Sequence, residues 1–292
     1  MASIGDDERS EASGGGAPDG SAGGAGDNVP RGIDTWQRER LTTGGGPARV
    51  VLIALAPRPL PDPLPVSRSR HGVPDDSSGV ETVSVCPRHL GEHAEWFAGF
   101  RGSGLAAVIA EDLGGDALAA GLAAEHAYLI EAELDDALDL GHLQTAWALA
   151  KCACELGAVV VVDVFAGRAW AAAEVAALAP DRPFDIVREI SLLAEDLAPD
   201  VMAIFTRGMV KLGRTDVVAT PIAPADASGI AHLLRDMAAA LAAGDLLEPG
   251  DGIELPDGSR FVIVAPEPAL TERLGLDQPT VVMQPAGSEP TP

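Results

Sequence analysis

Gly157-Ala158-Val159-Val160-Val161-Val162-Asp163-Val164-Phe165 is the most apolar run in the chain, and its surroundings decide the fold. A short, uninterrupted run rich in β-branched residues reads as a buried strand. Before it, Glu125 to Leu134 alternates, with Tyr128, Ile130, Ala132 and Leu134 on one side, as in a strand with one face on a core. Between them, Leu140 to Leu156 carries a stripe of Leu143, Trp147, Ala150 and Cys154 at helical spacing, and Gly157 sits where a helix C-terminus favours glycine. Strand, helix and strand of these lengths predict a right-handed crossover with both strands parallel in one sheet.

Downstream, the same periodicities predict helices over Arg168 to Leu178 and Phe184 to Leu197, the latter with Ile186, Ile190, Leu193 and Leu197 as its buried stripe. Strands follow at Val201 to Thr206 and Val217 to Thr220, joined by a turn between Gly208 and Gly213. Asp226 is placed to cap a helix running to about Ala243. A hairpin over Gly252 to Leu255 and Arg260 to Val264 turns at Pro256-Asp257-Gly258-Ser259.

Upstream, Ala48 to Ala56 is a continuous apolar run and a second buried strand. Six prolines between Pro57 and Pro74 forbid regular structure, and Val80 to Val85 reads as an edge strand. Pro87 suits the first position of a helix over Pro87 to Phe100, followed by a short strand at Leu105 to Ala110 and an alanine-rich helix at Asp116 to Ala124. Residues 1–46 are Gly, Ser, Ala and acidic residues without hydrophobic period, which predicts a disordered tail. The expectation is therefore one α+β domain over residues 47–276, in two layers with helices packed on a mixed β-sheet, and a C-terminal tail over 277–292.

Hydrophobic residues make up 47% of the chain and aromatic residues only 4%, so Ala, Val and Leu must supply the core. The net charge of −24 repels phosphate backbones and anionic lipid, which argues against nucleic-acid and membrane partners and points to a basic protein partner or simply to solubility. Three cysteines, Cys86, Cys152 and Cys154, suit a reducing cytoplasm better than a disulfide framework. The chain shows neither a signal peptide at its start nor an apolar run of membrane-spanning length.

Two strings bear on chemistry. His89-Leu90-Gly91-Glu92-His93 matches H-x-x-E-H. On a helix, His89 and His93 lie one turn apart and can hold zinc, with Glu92 activating water and Glu174 as third ligand. Against this stand the mid-helix Gly91 and the plainer reading of two histidines on a partly buried aromatic face. Cys152 and Cys154 diverge by about 200° on a helix and cannot share an ion. The second string is Thr206-Arg207-Gly208-Met209-Val210-Lys211-Leu212-Gly213. Its glycines permit positive φ, Met209 and Leu212 can tuck inward, and Arg207 and Lys211 are candidates to hold an anion or a partner carboxylate, or else balance nearby acids such as Asp216.

Thr206, Gly208, Met209, Leu212, Gly213, Asp216 and Val217 give the string T-x-G-M-x-x-[FL]-G-x-x-[DE]-[LV]. With the strand, helix and apolar strand upstream, the chain from about Glu125 to Val264 resembles a bacterial α+β domain family of unknown function. That resemblance implies a fold and transfers no site. The functional expectation is a non-enzymatic binding or interaction domain, of accessory or immunity type, with Arg207, Gly208, Met209, Lys211 and Gly213 as its binding residues. The alternative is a zinc metallohydrolase built on His89, Glu92, His93 and Glu174.

Overall fold

The valine run is a strand over Val160–Asp163, with all of its residues buried. The computed structural model that places it describes residues 32–40, 44–77, 79–135, 137–255 and 258–287. Residues 1–31 and 41–43 of the tail predicted over residues 1–46, the Pro256-Asp257 pair of the predicted hairpin turn and residues 288–292 of the predicted C-terminal tail lie outside the described residues. Residues 32–292 form one compact unit.

In chain order the first part comprises β1 (Ala48–Ala56), α1 (Arg68–His71), β2 (Ser84–His89), α2 (Ala94–Arg101), α3 (Gly104–Leu113), α4 (Gly115–Leu122), β3 (His126–Leu134), α5 (Gly141–Glu155), β4 (Val160–Asp163) and β5 (Arg168–Ala171). The second comprises α6 (Ala172–Ala176), α7 (Ile186–Glu189), β6 (Ser191–Ala198), β7 (Val201–Arg207), β8 (Asp216–Ile222), α8 (Ala227–Ala243), β9 (Gly252–Glu254), β10 (Arg260–Val264), α9 (Pro268–Leu274) and β11 (Thr280–Pro285). The fold class is α+β, and the strands are divided between two sheets.

The five-stranded sheet has the order β2-β3-β1-β4-β5 and is antiparallel throughout. β3 and β4 both run antiparallel to β1, which lies between them, so they are parallel to one another without being neighbours. The six-stranded sheet has the order β6-β7-β8-β11-β10-β9, with β8 and β11 as its parallel pair. Helix α5 is buried from Gly141 to Cys154. A helix buried all round lies within a core, and α5 shares one apolar cluster with Leu52 and Ile130 of the first sheet, Ile204 and Met283 of the second, and Leu234 of α8. The outer face of the first sheet is covered by Phe97, Phe100 and Ile109 of α2 and α3.

Four expectations fail for identifiable reasons. His89 and Pro87 belong to β2, an edge strand, where proline's missing N–H costs nothing because the edge has no second neighbour to receive it. Arg168 to Ala171 and Ser191 to Ala198 are strands β5 and β6, which leaves only the short helices α6 and α7 from two predicted long ones. Leu105 to Ala110 lies in α3. The tails are shorter than their composition implied. Ile33, Trp36 and Arg38 are buried, and Val281, Val282 and Met283 are buried within β11.

Candidate functional site

The string from Thr206 to Asp216 folds as a capped turn. Gly208 and Gly213 take left-handed conformations at φ 110° and 62°, and Met209 to Leu212 make one 3-10 turn between them. A Cβ on Gly208 would come within 3.1 Å of Ala166 Cα, so a side chain there would be crowded as well as strained by the positive φ. The Asp216 carboxylate caps the turn from the opposite strand. Its Oδ1 accepts from Thr206 Oγ1 at 3.0 Å and from Met209 N at 3.2 Å, and its Oδ2 accepts from Gly208 N at 3.4 Å. Thr206 Oγ1 accepts in turn from Val217 N at 2.9 Å. Each fixed position of the string thus has an architectural task, and Met209 and Leu212 point inward as expected. Burial pushes the Asp216 carboxyl up to about 6, although its three hydrogen bonds pull the other way.

Lys211 does not face a ligand. Its side chain is fully buried and meets Asp163 Oδ2 at 2.5 Å and Glu189 Oε2 at 3.2 Å. Asp216 is not among its ion partners. Burial alone would lower the Lys211 pKa, but the two carboxylates outweigh it and the net shift is upward, so the ammonium is kept. Asp163 Oδ1 accepts from Ala166 N at 3.0 Å, and Glu189 Oε2 accepts from Trp147 Nε1 at 2.9 Å. The Lys211 carbonyl accepts from His142 Nε2 at 2.9 Å; burial holds that imidazole below its usual pKa.

Around Glu189 the arginines and tryptophans interleave. Arg182 lies over Trp36 at 4.6 Å and Trp147 at 5.9 Å from the ring centroids. Arg188 lies over Trp147 at 5.3 Å and Trp170 at 4.1 Å, and Arg168 over the same Trp170 at 4.4 Å. This ladder ties α5 and β5 to the segment around α7, each contact worth about 0.5–2 kcal/mol.

The zinc constellation does not assemble. His89 ends β2 and His93 precedes α2. A single turn closed by His93 N donating to the His89 carbonyl at 2.8 Å joins them, and the His93 Nδ1 accepts from His89 N at 3.4 Å, so that ring nitrogen is turned to the backbone and no helix carries the pair. His89 Nδ1 instead meets His126 Nδ1 at 2.7 Å, a geometry in which one ring donates to the other. Glu174 on α6 lies near Arg188, whose pKa burial lowers on balance while Glu189 and Glu174 pull it upward. Among the described residues there is no group of three or more His, Cys, Asp or Glu side chains placed to hold a metal ion. Cys152 and Cys154 are buried free thiols, and burial pushes Cys154 up to about 12. Such a thiol is inert at neutral pH.

Arg207 is the predicted binding residue that reaches open space. It lines a cleft of about 360 Å³ together with Arg168, Arg235, Glu111, Asp112 and the start of β6 at Ser191 to Leu193. It also borders a second cavity of about 200 Å³ that reaches Asp216. Two of the cleft's charges are committed. Asp112 Oδ2 accepts from Ala169 N at 2.7 Å, and Arg168 Nη1 donates to the Val187 carbonyl at 3.2 Å. Among the described residues the side chains of Arg207 and Arg235 make no hydrogen bond or salt bridge, although the charge of Arg207 acts on the nearby Asp216 carboxyl. The remaining predicted residues Gly208, Met209, Lys211 and Gly213 are buried behind this surface. Sequence reasoning missed Arg168 and Arg235 because they come from β5 and α8, far from the turn in the chain.

Family models, curated proteins and solved structures were compared with the chain, and none matches.

Proposed function

We propose that this protein is a non-enzymatic binding domain, of accessory or immunity type, that receives an anionic group in the cleft beside the Gly208–Gly213 turn. The observation that carries this reading is the position of Arg207 and Arg235, two cations whose side chains make no salt bridge among the described residues, on one cleft of a chain with a net charge of −24. An arginine fork suits a carboxylate or phosphate and is most effective where nearby apolar walls exclude water. Val187, Ile190 and Leu192 supply such walls. The volume falls in the range of small-ligand pockets.

The test is titration of the folded protein with glutarate and with inorganic phosphate, followed by amide and arginine side-chain NMR. Saturable shifts at Arg207 and Arg235, lost in Arg207→Ala, are expected. Saturation left intact in the double variant Arg207→Ala/Arg235→Ala, or no saturation at all, overturns the reading.

The zinc metallohydrolase alternative loses the helix it required. A second binding reading, capture of a basic protein partner, is favoured by the net charge of −24. Three free thiols agree with a cytoplasmic location, and among the described residues no helix is long and apolar enough to cross a membrane. Kinship with the T-x-G-M family is part of the same proposal, supported by the task each matching residue performs in the turn.

A further inference from the structure

The cleft has a sheet edge as one wall. β6 is the terminal strand of the six-stranded sheet, paired with β7 on one side only. Alternate N–H and C=O groups of an edge strand point outward unpaired. Among the described residues no backbone hydrogen bond from an element other than β7 reaches Leu192, Leu193, Ala194 or Glu195. The carbonyls just beyond are occupied, Ile190 by Arg168 and Asp196 and Leu197 by Arg273. Sheets usually blunt such an edge with proline, lysine, a very short strand or a covering element. β6 has eight residues and neither proline nor lysine; its two charges, Glu195 and Asp196, and its register shift between Asp196 and Ala198 lie at the end away from the cleft. Two of the five large hydrophobic side chains exposed among the described residues, Val187 and Leu193, line this same cleft.

The opposite wall is α3, through Val108, Glu111 and Asp112. The opening is therefore a slot between a helix and a strand edge. A single extended chain at the usual strand spacing of about 4.8 Å fits such a slot. Charge along the edge is also asymmetric. Arg168, Arg207 and Arg235 line the cleft at the Ser191 end, facing Glu111 and Asp112 of α3, while Glu195 and Asp196 are exposed at the other, where the Arg273 guanidinium is held by the Asp196 and Leu197 carbonyls.

The geometry points to β6 as a strand-addition site for an extended peptide segment of a partner protein. That segment pairs its main chain with Leu192 to Glu195, sets an acidic residue among the three arginines and lays a basic residue over Glu195 and Asp196. The inference rests on the anion reading of the cleft and names the ligand that carries the anion. It also removes a difficulty: a purely acidic ligand would be repelled by a protein of net charge −24, whereas a bipolar segment of a basic protein is not. Main-chain pairing supplies affinity here, and the two charged ends fix register and direction.

The probe is a capped synthetic peptide, Asp-Glu-Val-Thr-Val-Thr-Lys-Lys, compared with the same peptide N-methylated at alternate central residues and with glutarate. Fluorescence anisotropy is expected to show saturable binding of the parent peptide, weakened about tenfold or more by N-methylation, since each lost main-chain bond is worth about 1 kcal/mol. Amide hydrogen exchange at residues 192–195 is expected to slow on binding. Charge reversal by Glu195→Lys/Asp196→Lys, at exposed positions that leave the core untouched, is expected to abolish binding of this peptide and leave glutarate binding unchanged. Equal binding of the parent and N-methylated peptides, unchanged exchange at 192–195, or a β6-mediated dimer in light scattering overturns strand addition. In each of those cases glutarate binding dependent on Arg207 leaves the anion reading standing, and failure of glutarate as well removes both.

Discussion

Lys211 Nζ lies 2.5 Å from Asp163 Oδ2, and neither side chain is more than 1% exposed. Asp163 ends β4 of the five-stranded sheet, and Lys211 lies in the turn joining β7 to β8 of the six-stranded one. The two sheets are thus tied by charge as well as by their shared apolar cluster, with Glu189 as a third member. A buried ion pair gains little over apolar packing, but breaking one strands an unpaired charge.

Lys211→Met is therefore expected to destabilise the fold by about 3–5 kcal/mol, because it leaves Asp163 buried without its cation and takes from Glu189 its salt-bridge partner, with only the charges of Arg182 and Arg188 nearby. Denaturant unfolding measures this. The triple variant Lys211→Met/Asp163→Asn/Glu189→Gln, which removes the charges together, is expected to be more stable than the single one. A single variant costing under about 1 kcal/mol would show that the tie contributes nothing.

Asp216 gives a pH dependence of unusual sign. Its carboxyl is raised on folding from 3.8 to about 6, so between these values the folded state holds a proton that the unfolded state has released. Its contribution to stability is complete below 3.8, falls as pH rises to about 6, and is level above. The loss is on the order of 3 kcal/mol. Subtracting the stability–pH profile of Asp216→Asn from that of the parent is expected to isolate this fall. A difference that is flat across the window, or that rises with pH, would contradict it.

The chain's two lysines, Lys151 and Lys211, are both buried. Lys151 Nζ is held by the carbonyls of Arg70 at 3.0 Å and Leu178 at 2.6 Å. An amine-reactive ester is expected to leave both unmodified in native buffer and to label both in denaturant, read by peptide mass mapping. Rapid native labelling of Lys211 would mean that the two sheets part readily.

How much of this was legible depended on whether the signal was local. The β3-α5-β4 crossover and the β7-turn-β8 unit were read correctly because their periods, glycines and caps lie within a few residues of one another. β6 was not, because Ile186, Ile190, Leu193 and Leu197 repeat at helical spacing, while as an edge strand with mostly exposed residues β6 lacks the buried alternation that would have given it away. Pro87 misled because a proline opening a helix and one on an edge strand look alike in sequence. The buried triad was invisible for another reason. Lys211 stands 48 residues from Asp163 and 22 from Glu189, and no periodicity connects them. Of the site, Arg207 was found through its glycine neighbours. Arg168 and Arg235 reach the same cleft only through the tertiary fold.

β11 is the last strand in the chain, yet it is inserted between β8 and β10 in the middle of its sheet. During synthesis, β6-β7-β8 and the β9-β10 hairpin must therefore wait as two separate fragments, with the Val217 to Ala219 edge open, until Thr280 to Met283 emerge to join them. A nascent chain halted before that point presents a long apolar edge to its neighbours. A chain lacking Thr280 to Met283 leaves β8 and β10 without the strand that joins them, so the six-stranded sheet cannot close.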